Sequence, residues 1–551
     1  MDKNAIKKYA VWARRELISR VTQKAYQYGI REDNIIDANA DSIDGKLLTE
    51  NEKKERQALI VQVNEKGFKQ VMEEAAYTWF NRFSALRFME VNGYLPTHIR
   101  VFTDDENNFK PQILTEAIHL ELNGLDMDKV YELKEANNND ELFKYLIITQ
   151  CNALNKILPG MFQKIADYTE LLFPDNLLRE GSVVEQMIKM IPEEDFNIRK
   201  KDGQVEIIGW LYQYYNDERK DEVINIKKGI VKKEDIPAAT QLFTTDWVVR
   251  YIVDNSLGRY WIERNPESKL KDELEYFVTP KDGKITYINE KVTPEELTVF
   301  DPCMGSGHFL VYAFDVLMKI YTEYGYSERE AVQLIVEKNL YGLDIDNRAA
   351  QLAYFAVMMK ARQYDRCFLN RGIKPHVYEI CESSYLDTYG LEYFVNGDMK
   401  FKSDMQKLID DMRDAKEYGS IIHISPVDFD ALFARFDEIK NDISMYKESA
   451  FTELLPLVQV AYVMSQKYNI VATNPPYLNK MDAKLKKYVT DNYKDYSGDL
   501  FSVFIYRNFG YCKIDGYSGF MTPFVWMFIK TYEKLREYII ENKSITKLVQ
   551  M

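Results

Sequence analysis

LTVFDPCMGSGHFLVYAFDVLMKIYTEYG, residues 297–325, reads as a strand, a tight glycine turn and a helix in immediate succession. LTVFD (297–301) is short and mostly apolar, as in a strand covered on both faces. From His308 the apolar residues recur at helical spacing until Gly325, a natural helix stop. Between the two, a pair of glycines around one serine lets the backbone turn sharply and come close to a ligand at the carboxyl edge of a parallel sheet. The same alternation continues outward. NLYGLD (339–344) reads as a strand, NRAAQLAYFAVMMKARQY (347–364) as a helix, KPHVYEICES (374–383) as a third strand and YNIVAT (468–473) as another buried one. DLFSVFIYRNFGYC (499–512) suits a helix, SGFMTPFVWMFI (518–529) a strand, KTYEKLREYIIENKS (530–544) a helix, and ITKLVQM (545–551) the opening of one more strand. Apolar strands alternating with amphipathic helices predict an α/β domain with a parallel sheet.

Two regions depart from this alternation. Residues 1–225 look mainly helical, with AIKKYAVWARRELISRVTQKAYQYG (5–29) and EEAAYTWFNRFSALRFMEVNG (73–93) carrying apolar residues at helical spacing. The aromatic stripe of the second is read as helix core. This predicts a helical N-terminal domain over 1–225 and an α/β domain over 226–551. Within the latter, a charged stretch over about 388–467 is read as a solvated helical excursion. QLFTTDWVVRYIVDNSLG (241–258) reads as a capped helix with a Thr-Thr-Asp start and a stop at Gly258.

The 551 residues are 46% apolar and 29% charged, ordinary for a globular chain. No segment approaches the run of about eighteen apolar residues that a membrane span needs, and the N-terminus carries charges where a signal peptide needs an apolar stretch; the cytoplasm is the expected compartment. The five cysteines show no C-x-x-C spacing and there are only five histidines, which argues against a disulfide framework and a structural zinc site. A net charge of −14 is awkward for a nucleic-acid binder. Either nucleic acid is not the partner, or the basic surface is local or lies on another part of the protein.

Asp301, at the end of the first strand, is placed to fix a cationic amine, and Asp344, at the tip of the next, to accept from both hydroxyls of a ribose. The loop is neither a G-x-G-x-x-G fingerprint nor a P-loop, since no Gly-Lys-Ser/Thr follows. A nucleoside-containing cofactor with a positive charge on its other half fits both carboxylates. S-adenosylmethionine meets that description; NAD does so less well, because nothing here cradles a pyrophosphate.

In VATNPPYLNK (471–480), Asn474 and two prolines end a buried strand. A proline cannot supply the N–H a ladder needs. The Asn474 carboxamide oxygen beside a stiff backbone carbonyl makes a two-acceptor clamp for an amino group, and Tyr477 offers a flat face for a ring. The plainer reading is a strand-ending turn. Lys480, Lys484, Lys486, Lys487 and Lys494 follow, and read equally as phosphate contacts or as a solvated helix face.

These stretches, QLFTT, DPCMGSGHF, GLDID and NPPY in that order, resemble the γ class of DNA adenine-N6 methyltransferases over roughly residues 240–530. The resemblance implies a Rossmann-like S-adenosylmethionine-dependent fold. It implies that Asn474 and Pro475 hold the amino group of a flipped adenine, that Pro476 completes the motif, and that Tyr477 stacks on the base. Thr244, Thr245, Asp301, Pro302, Met304, Gly305, Gly307, Phe309, Asp344 and Ile345 would bind the cofactor. CESS stands where the family has G-D-S, which puts Ser383 at the adenine-contacting position. Further, NAIKKYAVWARRELI (4–18), AYTWFNRFSALRFME (76–90) and EIIGWLYQYYNDER (206–219) resemble the PglX adenine methyltransferases of BREX phage-defence systems. That implies double-stranded DNA and other defence-system proteins as partners, with no metal. It also implies a longer chain with a C-terminal target-recognition region, of which this sequence would be the N-terminal part, stopping within the last strands. The alternatives are a protein glutamine methyltransferase, whose substrate amide presents the same NH2, and a cofactor-binding scaffold subunit inactive without its C-terminal region. A fused nuclease is disfavoured, since Pro174-Asp175 lacks a Glu-x-Lys partner on a neighbouring strand.

Overall fold

The computed structural model describes residues 1–163, 168–199, 204–223, 229–241, 244–384 and 386–551. The expected boundary at 225/226, and Leu242 and Phe243 of QLFTT, lie outside the described residues. The chain divides into two compact units, Met1–Glu218 and Arg219–Met551.

The first unit is helical around α1 (Lys3–Gln27), α2 (Glu50–Lys66), α3 (Phe68–Asn92) and α4 (Asn139–Leu154). A capping box between Thr49 and Glu52 opens α2, and Gly93, left-handed at φ 65°, closes α3. The aromatic run is core, as its spacing implies: Trp79, Phe80, Phe83 and Phe88 are buried, and Tyr9 of α1 stacks on Phe80. A fully buried Arg87–Glu90 pair at 2.6 Å is completed by the Val101 and Phe102 amides, which donate to Glu90 Oε2. A buried charge pair persists only with such extra hydrogen bonds.

The second unit is built on five parallel strands: β1 (Val299–Asp301), β2 (Leu340–Asp344), β3 (His376–Glu379), β4 (Tyr468–Thr473) and β5 (Cys512–Phe520). Their order across the sheet is β3-β2-β1-β4-β5. The register pairs Val299 with both Leu340 and Ile470. The helices that matter for the site are α5 (Asp246–Val253), α6 (His308–Tyr324), α7 (Asn347–Tyr364), α8 (Leu455–Ser465), α9 (Ala483–Tyr493) and α10 (Leu500–Tyr511). No described helix is long and apolar enough to cross a membrane.

Four expectations are corrected. Gly258 does not stop its helix: the backbone passes through a π turn at Asp254–Gly258 and continues to Arg264. The glycine is there for packing, since a Cβ would lie 2.4 Å from Leu274 Cδ1. The last strand begins at Cys512 rather than 518 and ends at Phe520, where its six-residue partner β4 runs out; Pro523 and a 3-10 turn at Phe524–Met527 follow. ITKLVQM forms no strand, since no described strand offers it a ladder, and Leu548 and Val549 are exposed. Finally, the 388–467 stretch is no solvated excursion. Its amphipathic helices turn Phe394, Met405, Leu408, Leu432 and Phe436 into one core with Phe300, Leu343 and Val471 of the sheet.

Candidate active site

The chain winds from β1 through β2 to β3 on one side of the sheet and returns through β4 and β5 on the other. The crevice of such a sheet opens at the carboxyl ends of the strands where the winding reverses, between β1 and β4. Asp301 is the last residue of β1, Asp344 the last of β2, and Asn474 follows directly on β4. Three neighbouring strand tips therefore carry the three residues that the sequence singles out.

The loop after β1 is held onto β2. The Met304 amide donates to the Leu343 carbonyl at 3.0 Å and the Gly305 amide to Asp344 Oδ2 at 2.9 Å. Gly305, at φ 53°, has nothing within 4 Å of a would-be Cβ, whereas Gly307, at φ 87°, would place one 3.0 Å from Ala353 Cβ. The first glycine leaves open space in the loop, and the second lets α6 and α7 approach closely. Gly342 within β2 escapes the sequence reading, although a glycine inside a strand is itself a sign of close packing. A Cβ there would meet Met304 Sδ at 2.5 Å.

Asp301 is 1% exposed. Burial raises its carboxyl to about 7, and the nearby Asp344 adds to the rise; the Cys303 amide, donating to Oδ1 at 3.1 Å, and the Thr473 hydroxyl oppose it. The Thr473 hydroxyl is close enough to matter without hydrogen-bond geometry, so Asp301 Oδ2 stays buried and unsatisfied among the described residues. Asp344 is raised to about 6, chiefly by burial, with Asp346 adding and the amides of Asp346 and Gly305 opposing. Two carboxyls held this near protonation gain from a cation, and the orphan oxygen of Asp301 gives one a place to donate. The residues present fit a ligand carrying an ammonium group.

Around NPPY, the Asn474 amide is oriented from both ends. Its Nδ2 donates to Thr244 Oγ1 at 3.1 Å, and its Oδ1 lies 2.8 Å from the Tyr477 hydroxyl, which also lies 2.9 Å from the Met521 carbonyl. With one proton, that hydroxyl donates to one of the two at a time. No described donor reaches the Pro475 carbonyl. Tyr477 is half-buried, its ring meeting Phe501 edge-on at 6.2 Å, and Pro476 is likewise half-buried. Thr244, expected among the cofactor residues, thus sits on the asparagine, while Thr245 caps α5 without a side-chain bond. Asp246, not singled out by sequence, faces Arg250 at 2.7 Å and His308 at 3.6 Å; burial pushes its carboxyl up, but these two hold it at about 2.

The remaining expected residues serve mixed roles. The Pro302 carbonyl accepts from Ser420, Phe309 is buried in α6, and Ile345 packs beneath Gly419. The Ser383 hydroxyl donates to the Ile409 carbonyl at 2.5 Å, and its amide to the Met412 carbonyl, so it is committed to the packed insertion. Lys484 pairs with Asp414 at 2.5 Å and with Glu417, and Lys487 pairs with Asp491. Lys480 is exposed, its carbonyl accepting from the Val231 amide.

Residues 338–551 match the Eco57I restriction-modification methylase family, and residues 280–377 match the MmeI DNA-methyltransferase domain. The chain is 36% identical to the adenine-specific methyltransferase BrxX of Escherichia coli O9:H4 (strain HS), covering 100% of this chain and 49% of that one. It is 37% identical to the adenine-specific methyltransferase PglX of Lacticaseibacillus casei (strain Zhang), covering 98% and 48%. The chain spans about half the length of the curated relatives it matches. Among solved structures, a cryoEM DrdV–DNA complex aligns with 98% of this chain and 37% of its own at a TM-score of 0.40 and 10% identity, too slight a likeness to bear on function.

Proposed function

We propose that the chain belongs with the adenine-specific methyltransferases BrxX and PglX, to which it is 36% and 37% identical, and that it methylates the N6 amine of adenine in double-stranded DNA, with S-adenosylmethionine as donor. The observation that carries this reading is the placement of an oriented carboxamide, Asn474, beside the Pro475 carbonyl at the strand tip next to Asp301 and Asp344.

An adenine amine is a poor nucleophile because its lone pair is delocalised into the ring. Asn474 Oδ1 and the Pro475 carbonyl accept its two N–H groups and favour a more tetrahedral nitrogen, on which the lone pair is localised. Thr244, by accepting from Nδ2, keeps the oxygen of the carboxamide presented. Reaching the base requires its extrusion from the duplex, at a cost of a few kcal/mol. Stacking on Tyr477 restores part of that loss. Asp344 takes the ribose hydroxyls of the donor and Asp301 its ammonium group, fixing it along the β1 and β2 tips. When bound, S-adenosylmethionine supplies an electrophilic methyl group. The chain contributes placement and hydrogen bonding, without a covalent enzyme intermediate or a metal. We place this activity in the cytoplasm, as the modification component of a phage-defence system alongside other defence proteins.

Calorimetric binding of S-adenosylmethionine to the 551-residue chain tests the assignment. Asp344→Ala abolishes binding, while Asn474→Ala keeps it and abolishes N6-methyladenine formation in duplex DNA wherever the wild type forms it. Donor binding that survives Asp344→Ala unchanged refutes the cofactor half of the reading. Methyl transfer that survives Asn474→Ala refutes the catalytic half.

A further inference from the structure

At the opposite edge of the sheet, a cavity of about 360 Å³ is lined by His423, Ser425, Gln466, Lys467, Arg507 and Tyr511, among others. Lys467 directly precedes β4 and Asn474 directly follows it. At ~3.3 Å per residue the two lie roughly 20 Å apart along the strand, so this cavity is not the methyl-transfer crevice.

Its lining is cationic and carries no carboxylate. Arg507 is 8% exposed. Its Nη2 donates to the Ile422 carbonyl at 2.9 Å, its guanidinium lies 4.0 Å over the Tyr511 ring, and its buried Nε has no hydrogen bond among the described residues. Gly510 leaves room for this group, since a Cβ would stand 3.3 Å from Nη1. Lys467 caps the Gly510 carbonyl near the carboxyl end of α10 and pairs with no acid among the described residues. The Tyr493 hydroxyl donates to the Ile421 carbonyl, so the His423 Nε2 lying 3.0 Å from it acts as the donor. Asp411 lies behind the lining, its two carboxylate oxygens accepting from the Ser425 amide and hydroxyl at 2.6 and 3.1 Å. Burial together with Arg507 and Lys467 lowers the His423 imidazole, and burial together with Arg507 lowers the Lys467 ammonium. A buried guanidinium without a counter-charge is costly unless an anion joins it.

We propose that this cavity is a second ligand site, taking a small phosphorylated molecule whose phosphate is held by Arg507 and Lys467. Guanidinium and ammonium groups are the usual phosphate donors, the volume lies within the range of small-molecule sites, and the recess is too small to admit a duplex. The proposal does not depend on the methyltransferase reading.

The test is isothermal titration of inorganic phosphate and of AMP, as a phosphate monoester, into the full chain, its Lys467→Glu variant and its Arg507→Lys variant. Lys467 is exposed, so Lys467→Glu keeps the fold, checked by its thermal midpoint. The expected result is saturable binding by the wild type, about tenfold or more weaker in Lys467→Glu, the scale of one charged hydrogen bond. S-adenosylmethionine binding is unchanged in that variant. Arg507→Lys weakens phosphate binding further. The proposal is overturned if the wild type binds neither probe, if Lys467→Glu binds both equally well, or if S-adenosylmethionine or a duplex displaces them. The first outcome leaves Lys467 as a plain cap of α10 and Arg507 as a support for the Ile422 carbonyl, and the last moves the phosphate to the methyl-donor cleft or the DNA path.

Discussion

Asp301→Asn makes the ligand-free protein more stable above neutral pH and leaves it without an anchor for a cationic amine. In the folded chain this carboxyl sits near 7, against about 3.9 for an exposed aspartate. The group is almost wholly buried, so the difference of roughly three units, at 1.36 kcal/mol each, is on the order of 4 kcal/mol. The sign follows from proton binding. Between pH 4 and 7 the folded state keeps a proton that the unfolded state has lost, so stability falls as pH rises through this window and is flat beyond it. Asparagine lacks that titration. The measurement is hydrogen exchange of the β1 and β2 peptides from pH 4.5 to 8.5, corrected for intrinsic rates, which reads this sheet separately from the helical unit. The wild type should lose several kcal/mol more than the variant. Part of the wild-type loss persists in the variant, because Asp344 is also raised, to about 6. Parallel pH curves for the two proteins would refute the reasoning. A linked result follows: at pH 6 a bound cation holds Asp301 ionised, so binding of S-adenosylmethionine releases up to about one proton, seen as a binding heat that varies with buffer ionisation enthalpy.

Gly307→Ala combines a left-handed φ, costing about 1–2 kcal/mol, with overpacking against Ala353 that costs about 1–3 more, whereas Gly305→Ala meets open space and bears only the first term; urea unfolding of the pair separates the two. Thr244→Val removes the acceptor that orients Asn474, so kcat for methyl transfer falls about tenfold, consistent with one hydrogen bond, while donor binding stays within about twofold and Thr244→Ser restores the rate. Lys484→Ala and Lys487→Ala break ion pairs at the surface worth less than about 1 kcal/mol and leave the salt dependence of DNA binding unchanged.

Most of the sheet and its glycine loop were legible because they rest on nearest neighbours. β4 occupies Tyr468–Thr473, as read from its apolar run and the prolines beyond it, and α7 spans Asn347–Tyr364 as its periodicity implies. Asp301, Asp344 and Asn474 stand at strand ends because turn chemistry placed them there. What the residues engage was not legible. Thr244 holds Asn474 across 230 positions of chain, and Ser383 is committed to Ile409 by the fold of the insertion. The helices of 388–467 look the same in sequence whether they face water or a sheet, since an amphipathic stripe does not say what covers it. Gly258 resembles a helix stop until Leu274 is seen to need its space. The sequence by itself determined most of the elements, their order and which residues stand at the strand tips, because backbone preferences act over a few residues. Only the tertiary structure decided which hydroxyl orients the asparagine, which carboxyl is buried enough to keep its proton, and where a guanidinium lacks a counter-charge, because burial and electrostatics are set by residues that meet only on folding.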